Sequence, residues 1–181
     1  MSATRVSTAA LLIAAVLSAC ARQSSGRPSV SPGTQTGPRP PAAAFAATIE
    51  RVVDGDTVIA RRTPGGAKVR VRLIGIDSPE TVKPGTPQQC YGPEASAYLA
   101  AALRGARITA SYEGGGHLDK FGRDLWDIWL ADGTFVAGQE VERGYARALR
   151  VRPQVDHAAY LSGVEAGAKA GRRGLWGACP R

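Results

Sequence analysis

Apolar and polar positions divide the chain into three zones. Residues 9–17 form a continuous apolar run behind Arg5, residues 21–44 show no apolar periodicity, and short alternating segments take over from Phe45. The first run is too short to span a bilayer comfortably as a mature helix. With the small residues that follow, it reads as a secretory signal covering residues 1–20. Residues 21–44 are rich in Ser, Pro, Gly, Thr and Ala and cannot bury enough surface to offset their ordering entropy. They read as a disordered tether, extended where Pro38, Pro40 and Pro41 cluster.

From residue 45 to 181 the pattern is that of a single domain. Two β-prone runs, 47–53 and 58–62, flank Asp54-Gly55-Asp56-Thr57, a hairpin signal. Thr63-Pro64-Gly65-Gly66 turns the chain into a third strand over 68–76, so an antiparallel, curled meander is predicted. After a loop with Pro79, Pro84 and Pro87, Gly92-Pro93-Glu94 opens a helix with proline in the first turn, where its missing N–H costs nothing. Ala95, Tyr98, Leu99, Ala102 and Leu103 repeat at helical spacing, and Gly105 stops the helix.

Strands over 107–112 and 125–130 flank a loop containing Gly114 to Gly116. A turn at Asp132-Gly133 leads to a helix over 136–143, in which Glu140 falls where the pattern wants an apolar residue. A last helix over 155–170 is followed by Trp176, placed near Cys179. Five short strands with three interspersed helices predict an α+β domain built on a small OB-type β-barrel. Tyr91, Tyr98, Trp126 and Trp129 sit in periodic apolar segments and are expected in its core.

Composition adds compartment and partner. Leu17-Ser18-Ala19-Cys20 resembles the lipobox of bacterial lipoproteins, in which the cysteine is lipidated and becomes the first mature residue. A plain signal peptide that happens to contain a cysteine is the alternative. Either way the domain is expected outside the cytoplasm, membrane-anchored through Cys20 or secreted. Cys90 and Cys179 remain, and in an exported protein they suggest one disulfide, worth roughly 2–4 kcal/mol. Two free, buried thiols are the other possibility. The formal charge is +8, but four of the 23 basic residues precede Phe45, leaving 19 bases against 15 acids in the domain. That modest excess suits a polyanion and by itself decides little.

The chemistry concentrates in Val71 to Glu80, VRLIGIDSPE. Arg72 offers a planar fork of donors suited to a phosphate. Asp77, Glu80 and a nearby carbonyl are what a hard cation such as calcium requires. Each has a plainer use: Asp56 and Asp77 as turn residues, Glu80 as a solvated acid, Arg72 in a structural ion pair and Arg123 as a surface charge. Their order changes the weighting. VDGDTV (53–58), VRLIGIDSPE (71–80), YGPEAS (91–96), DKFGR (119–123) and GYAR (144–147) occur in the order of the staphylococcal nuclease family, which this chain resembles over roughly residues 46–176.

The resemblance implies an OB-fold nuclease that hydrolyses DNA and RNA with calcium, leaving 5′-hydroxyl and 3′-phosphate ends. Asp56, Asp77 and the Ser78 carbonyl would hold the ion; Arg72 and Arg123 would flank the scissile phosphate; Glu80 would activate or orient water. Phe121 replaces a family tyrosine that contacts a terminal phosphate, while Lys120 is retained, and both are expected to bind substrate. Two tyrosines that hold the nucleotide in the family are aligned with Arg150 and Arg152, which implies a shift from stacking towards salt-sensitive backbone contact. His117 and His157 receive no catalytic role. A monomer is the default, and a noncatalytic nuclease-like OB module that binds nucleic acid or protein is the alternative function. Retention of all the acidic and arginine residues argues against that alternative.

Overall fold

A computed structural model describes residues 37–81, 85, 87–113, 117–153 and 156–180. The signal segment, Cys20, most of the tether, the Gly114 to Gly116 loop, Pro84 and Val155 lie outside the described residues. Strands β1 (Phe45–Val52), β2 (Thr57–Arg62) and β3 (Lys68–Leu73) form the predicted meander. With β5 (Arg107–Ser111) and β6 (Asp124–Trp129) they close into a barrel in the order β1-β2-β3-β6-β5. All pairings are antiparallel except β3 with β6. The predicted α+β, OB-type architecture is therefore present.

Three longer helices complete it: α1 (Gly92–Leu103), α2 (Val136–Arg143) and α3 (Ala158–Ala170). A single helical turn, α4 (Leu175–Ala178), follows. Inward-facing Ile49, Val58, Val71, Leu73, Trp126 and Ile128 fill the barrel, and Leu99, Leu103, Val141 and Leu161 seal it from the helices. Full burial of side chains this size contributes about 1.5–3 kcal/mol each.

Four differences from the sequence reading matter for the site. The third strand does not run to Ile76. It ends at Leu73, and Ile76–Asp77 forms a separate short strand, β4, paired with β7 (Arg147–Ala148). Gly75 makes the break, with φ of +78° and a Leu161 methyl only 2.5 Å from where a Cβ would stand. Residues 37–44, assigned above to the tether, have contacts of their own: the Trp129 Nε1–H donates to the Pro38 carbonyl at 2.7 Å.

Trp126 and Trp129 are core, but Tyr91 and Tyr98 are only half-buried. They stack on either side of Tyr145, with ring centroids 5.6 and 4.1 Å away. Their hydroxyls explain it, since a phenol with one wet end avoids a dry core. At the C-terminus Leu175 takes the buried position, and Trp176 lies between the Arg147 and Lys169 cations at 4.9 and 4.5 Å.

Cys90 and Cys179 are joined in a disulfide that closes an 89-residue separation. Predicted helix α2 is present, and its Glu140 is fully buried.

Candidate active site

Three strand ends converge on one cluster. The β2–β3 register sets Thr57 opposite Arg72, and the parallel β3–β6 pairing brings Leu125 beside Arg72. Gly55, in the turn before β2, lets Ser78 approach: a Cβ there would stand 2.7 Å from the Ser78 side chain. Local sequence thus makes the turn, and a small residue lets a distant segment close over it.

Asp56 is the hub. Its Oδ1 accepts from the Thr57 hydroxyl at 2.9 Å, and its Oδ2 accepts from the Ser78 N–H at 3.1 Å. Arg72 Nη2 lies 3.1 Å from the same Oδ2 and 3.6 Å from Asp77 Oδ1, so one guanidinium nitrogen bridges both carboxylates. The arginine also donates to the Leu73 and Ile76 carbonyls at 2.6 and 2.7 Å. Those carbonyls flank the break at Gly75, so the interrupted strand is what grips Arg72.

Arg123 arrives from the opposite side. Asp119 Oδ1 accepts from the Phe121 and Arg123 N–H groups at 2.9 Å each, and its Oδ2 accepts from Arg123 Nε at 2.7 Å. Arg123 Nη1 then reaches Thr57 Oγ1 at 3.4 Å. The Thr57 hydroxyl, accepting from Arg123 and donating to Asp56, connects the two guanidinium groups.

Glu80 stands beyond this network. Its backbone is clamped by Gln89, whose N–H donates to the Glu80 carbonyl at 2.9 Å while its Oε1 accepts from the Glu80 N–H at 3.0 Å. Glu80 Oε1 accepts from the Thr81 N–H at 2.9 Å. The next residue after Gln89 is the disulfide-bonded Cys90, so the bridge anchors the neck of the Glu80 loop.

Charge crowding marks the cluster. Burial, followed by the Asp56 carboxylate, raises Asp54 to about 6. Desolvation pushes Asp77 up, with Arg72 opposing the rise and Asp56 adding to it. Burial would also raise Asp119, but the hydrogen bonds from Arg123 and Phe121 outweigh it and hold Asp119 low. Asp54, Asp56, Asp77 and the Ser78 carbonyl offer oxygen alone, a donor set that fits a hard cation. Among the described residues, no three acidic, histidine or cysteine side chains are grouped to hold a metal ion. Arg72 Nη2 instead provides the positive charge between Asp56 and Asp77.

On the other side of Arg72 runs a groove of about 560 Å³, lined by Arg72, Arg123, Lys120, Phe121, Leu149 and Val151 among others. Lys120 and Phe121 are both in place, with Lys120 Nζ 5.1 Å from the Phe121 ring centroid. Arg150 and Arg152 are exposed but do not line the groove. Alternate residues of an extended chain face opposite ways, and here Leu149 and Val151 face in. The alternation was readable in the sequence; which set faces in was not. Sequence reasoning also passed over Asp54, Thr57 and Asp119, although each lies inside a quoted motif.

Comparison with known proteins is decisive at this point. The family described as staphylococcal nuclease homologue matches residues 70–178. A thermonuclease of Staphylococcus intermedius is 37% identical over 128 residues, 71% of this chain and 74% of that protein. A thermonuclease of Staphylococcus hyicus is 34% identical over 126 residues, covering 70% and 72%. Endonuclease YncB of Bacillus subtilis is 30% identical over 130 residues, covering 71% and 60%. The chain belongs to the staphylococcal nuclease family. Within that family it is a nuclease, a phosphodiester hydrolase whose substrate is nucleic acid.

Proposed function

We propose that this staphylococcal nuclease family member is a calcium-dependent endonuclease that cuts DNA and RNA with little sequence preference outside the cytoplasm. One observation supports this above the others: Arg72 touches the Asp56–Asp77 carboxylates and also lines the groove. A phosphate bound in that groove meets a guanidinium already attached to a pair of oxygen ligands.

Asp56, Asp77 and the Ser78 carbonyl would hold the calcium ion, which supplies positive charge to oppose the charge gathering on the phosphate oxygens. The chain's own residues do the rest. Arg72, on β3, and Arg123, in the loop just before β6, stabilise the equatorial oxygens of the phosphate. Asp119 fixes the rotamer of Arg123, so less freedom is lost when the phosphate binds. Glu80, carried on its clamped loop, accepts the proton of the attacking water. The P–O5′ bond breaks, and the departing oxygen takes up a proton from solvent to give a 5′-hydroxyl opposite a 3′-phosphate.

The disulfide supports an oxidising compartment, consistent with export and with a lipid anchor at Cys20. The test is to incubate the purified full chain with plasmid and with RNA, in calcium or in chelator. Calcium-dependent loss of both substrates is expected; equal cleavage in chelator, or none in calcium, would reject the proposal.

A further inference from the structure

The outer face of the barrel has a basic feature that the cleft does not use. Side chains of a strand alternate between faces, so Lys68, Arg70 and Arg72 of β3 share the outer one. Strand pairing extends the row sideways. Arg70 opposes Ile59, which opposes Arg51; Lys68 opposes Arg61, which opposes Thr48, which in turn opposes Arg107. Directly opposed residues stand on the same face. Arg51, Arg61, Lys68, Arg70 and Arg107 therefore all point out of the closed barrel and are exposed, in a row that winds round it from Arg72 at the cleft across β3, β2, β1 and β5.

Its acid content is low. Glu50 accepts Arg61 at 3.0 Å and Lys68 at 2.8 Å. Among the described residues, Arg51, Arg70 and Arg107 form no ion pair. Glu50 thus offsets the one directly opposed pair of like charges, Lys68 and Arg61, and leaves Arg51, Arg70 and Arg107 without an internal counter-charge among those residues. Alternate residues on a strand are about 7 Å apart, close to the separation of adjacent phosphates along a polynucleotide strand.

We propose that the outer side of β3, β2, β1 and the start of β5 is a phosphate-backbone track that holds a polynucleotide beyond the cleft, continuing from Arg72 round the barrel. This rests on the nuclease reading of the cleft and deepens it: the preferred substrate is a long strand, engaged well outside the scissile bond. Each phosphate neutralised on the track adds to the salt dependence of binding.

The test uses the full chain with Arg51→Gln, Arg70→Gln and Arg107→Gln combined, and a matching triple lysine variant. None of the three residues lines the cleft. Turnover is measured on long single-stranded DNA and on bis(4-nitrophenyl) phosphate across a salt series, and binding of labelled DNA is measured by anisotropy. For the glutamine variant, KM on the long strand should rise about tenfold at low salt, and the log–log salt slope should fall by about 2. The small diester should be cut as before, and lysine should restore the long-strand value.

Equal loss on both substrates, or no loss on the long one, overturns the track. Loss of binding to phosphatidylglycerol vesicles with DNA binding intact would assign the face to a membrane and overturns it as well. A wild type that cuts neither substrate rejects the nuclease reading separately. Anisotropy then still decides the track, which stands only if the glutamine variant binds DNA more weakly than the wild type.

Discussion

Two sets of carboxyl groups in this protein are buried for different ends. In the cleft, Asp56 meets a hydroxyl, an N–H and a guanidinium, and remains beside arginines that can turn to a phosphate. In the wall beneath the start of α3, Asp127 and Glu113 are 3% and 5% exposed and have no arginine or lysine partner among the described residues. Burial, then Glu113 and Asp156, raises Asp127 to about 8, while burial lowers His157, whose Nε2 is 3.5 Å away. Near neutral pH that contact joins an uncharged carboxyl to an uncharged imidazole, not an ion pair.

Glu140 goes further. It is fully buried, and among the described residues neither carboxyl oxygen has a hydrogen-bond partner. Burial, with Asp56 and Asp54 contributing, pushes it well above the usual range. The cleft acids are met by donors and a guanidinium, whereas Asp127 and Glu140 have no arginine or lysine partner among the described residues, and burying an acid without one costs stability.

The comparison can be broken most severely at Arg72. Arg72→Ala should cut kcat by about 10²–10³, and Glu80→Gln by about 10²–10⁴, with circular dichroism unchanged. Near-parental rates in both would show that the cleft acids are only structural. Removing the bridge by Cys90→Ser with Cys179→Ser should cost roughly 2–4 kcal/mol in denaturant unfolding. It should also lower kcat, because the Glu80 loop loses its anchor; a stability loss with kcat intact would detach the loop from the bridge.

Glu140→Leu tests the other set. Stability should rise by about 1–3 kcal/mol, since an unpartnered acid is replaced by a similar apolar volume. A fall instead would mean that the carboxyl has a partner. The finest test is Asp127→Asn. An acid raised on folding binds protons more tightly in the native state, so wild-type stability falls as pH rises. The variant's advantage should therefore grow from about pH 4, the ordinary aspartate value, to about 8, and level off above that. A pH-independent difference would contradict the raised Asp127.

What was legible in the sequence was local. The Asp54 to Thr57 turn and the α1 start at Gly92-Pro93 each depend on neighbours within a few residues, whose dihedral preferences and reach are set by residue type. The motif order also implied the family, and the two remaining cysteines suggested their pairing. Tertiary structure decided the rest. The break before Ile76 requires Leu161 against Gly75, and the inward face of residues 149–153 depends on what the groove packs there. The burial of Glu140 follows from the barrel beneath α2, not from its helix. Period alone gives two equivalent faces for a segment; contact with residues far along the chain selects one, because only that choice removes the apolar side from water.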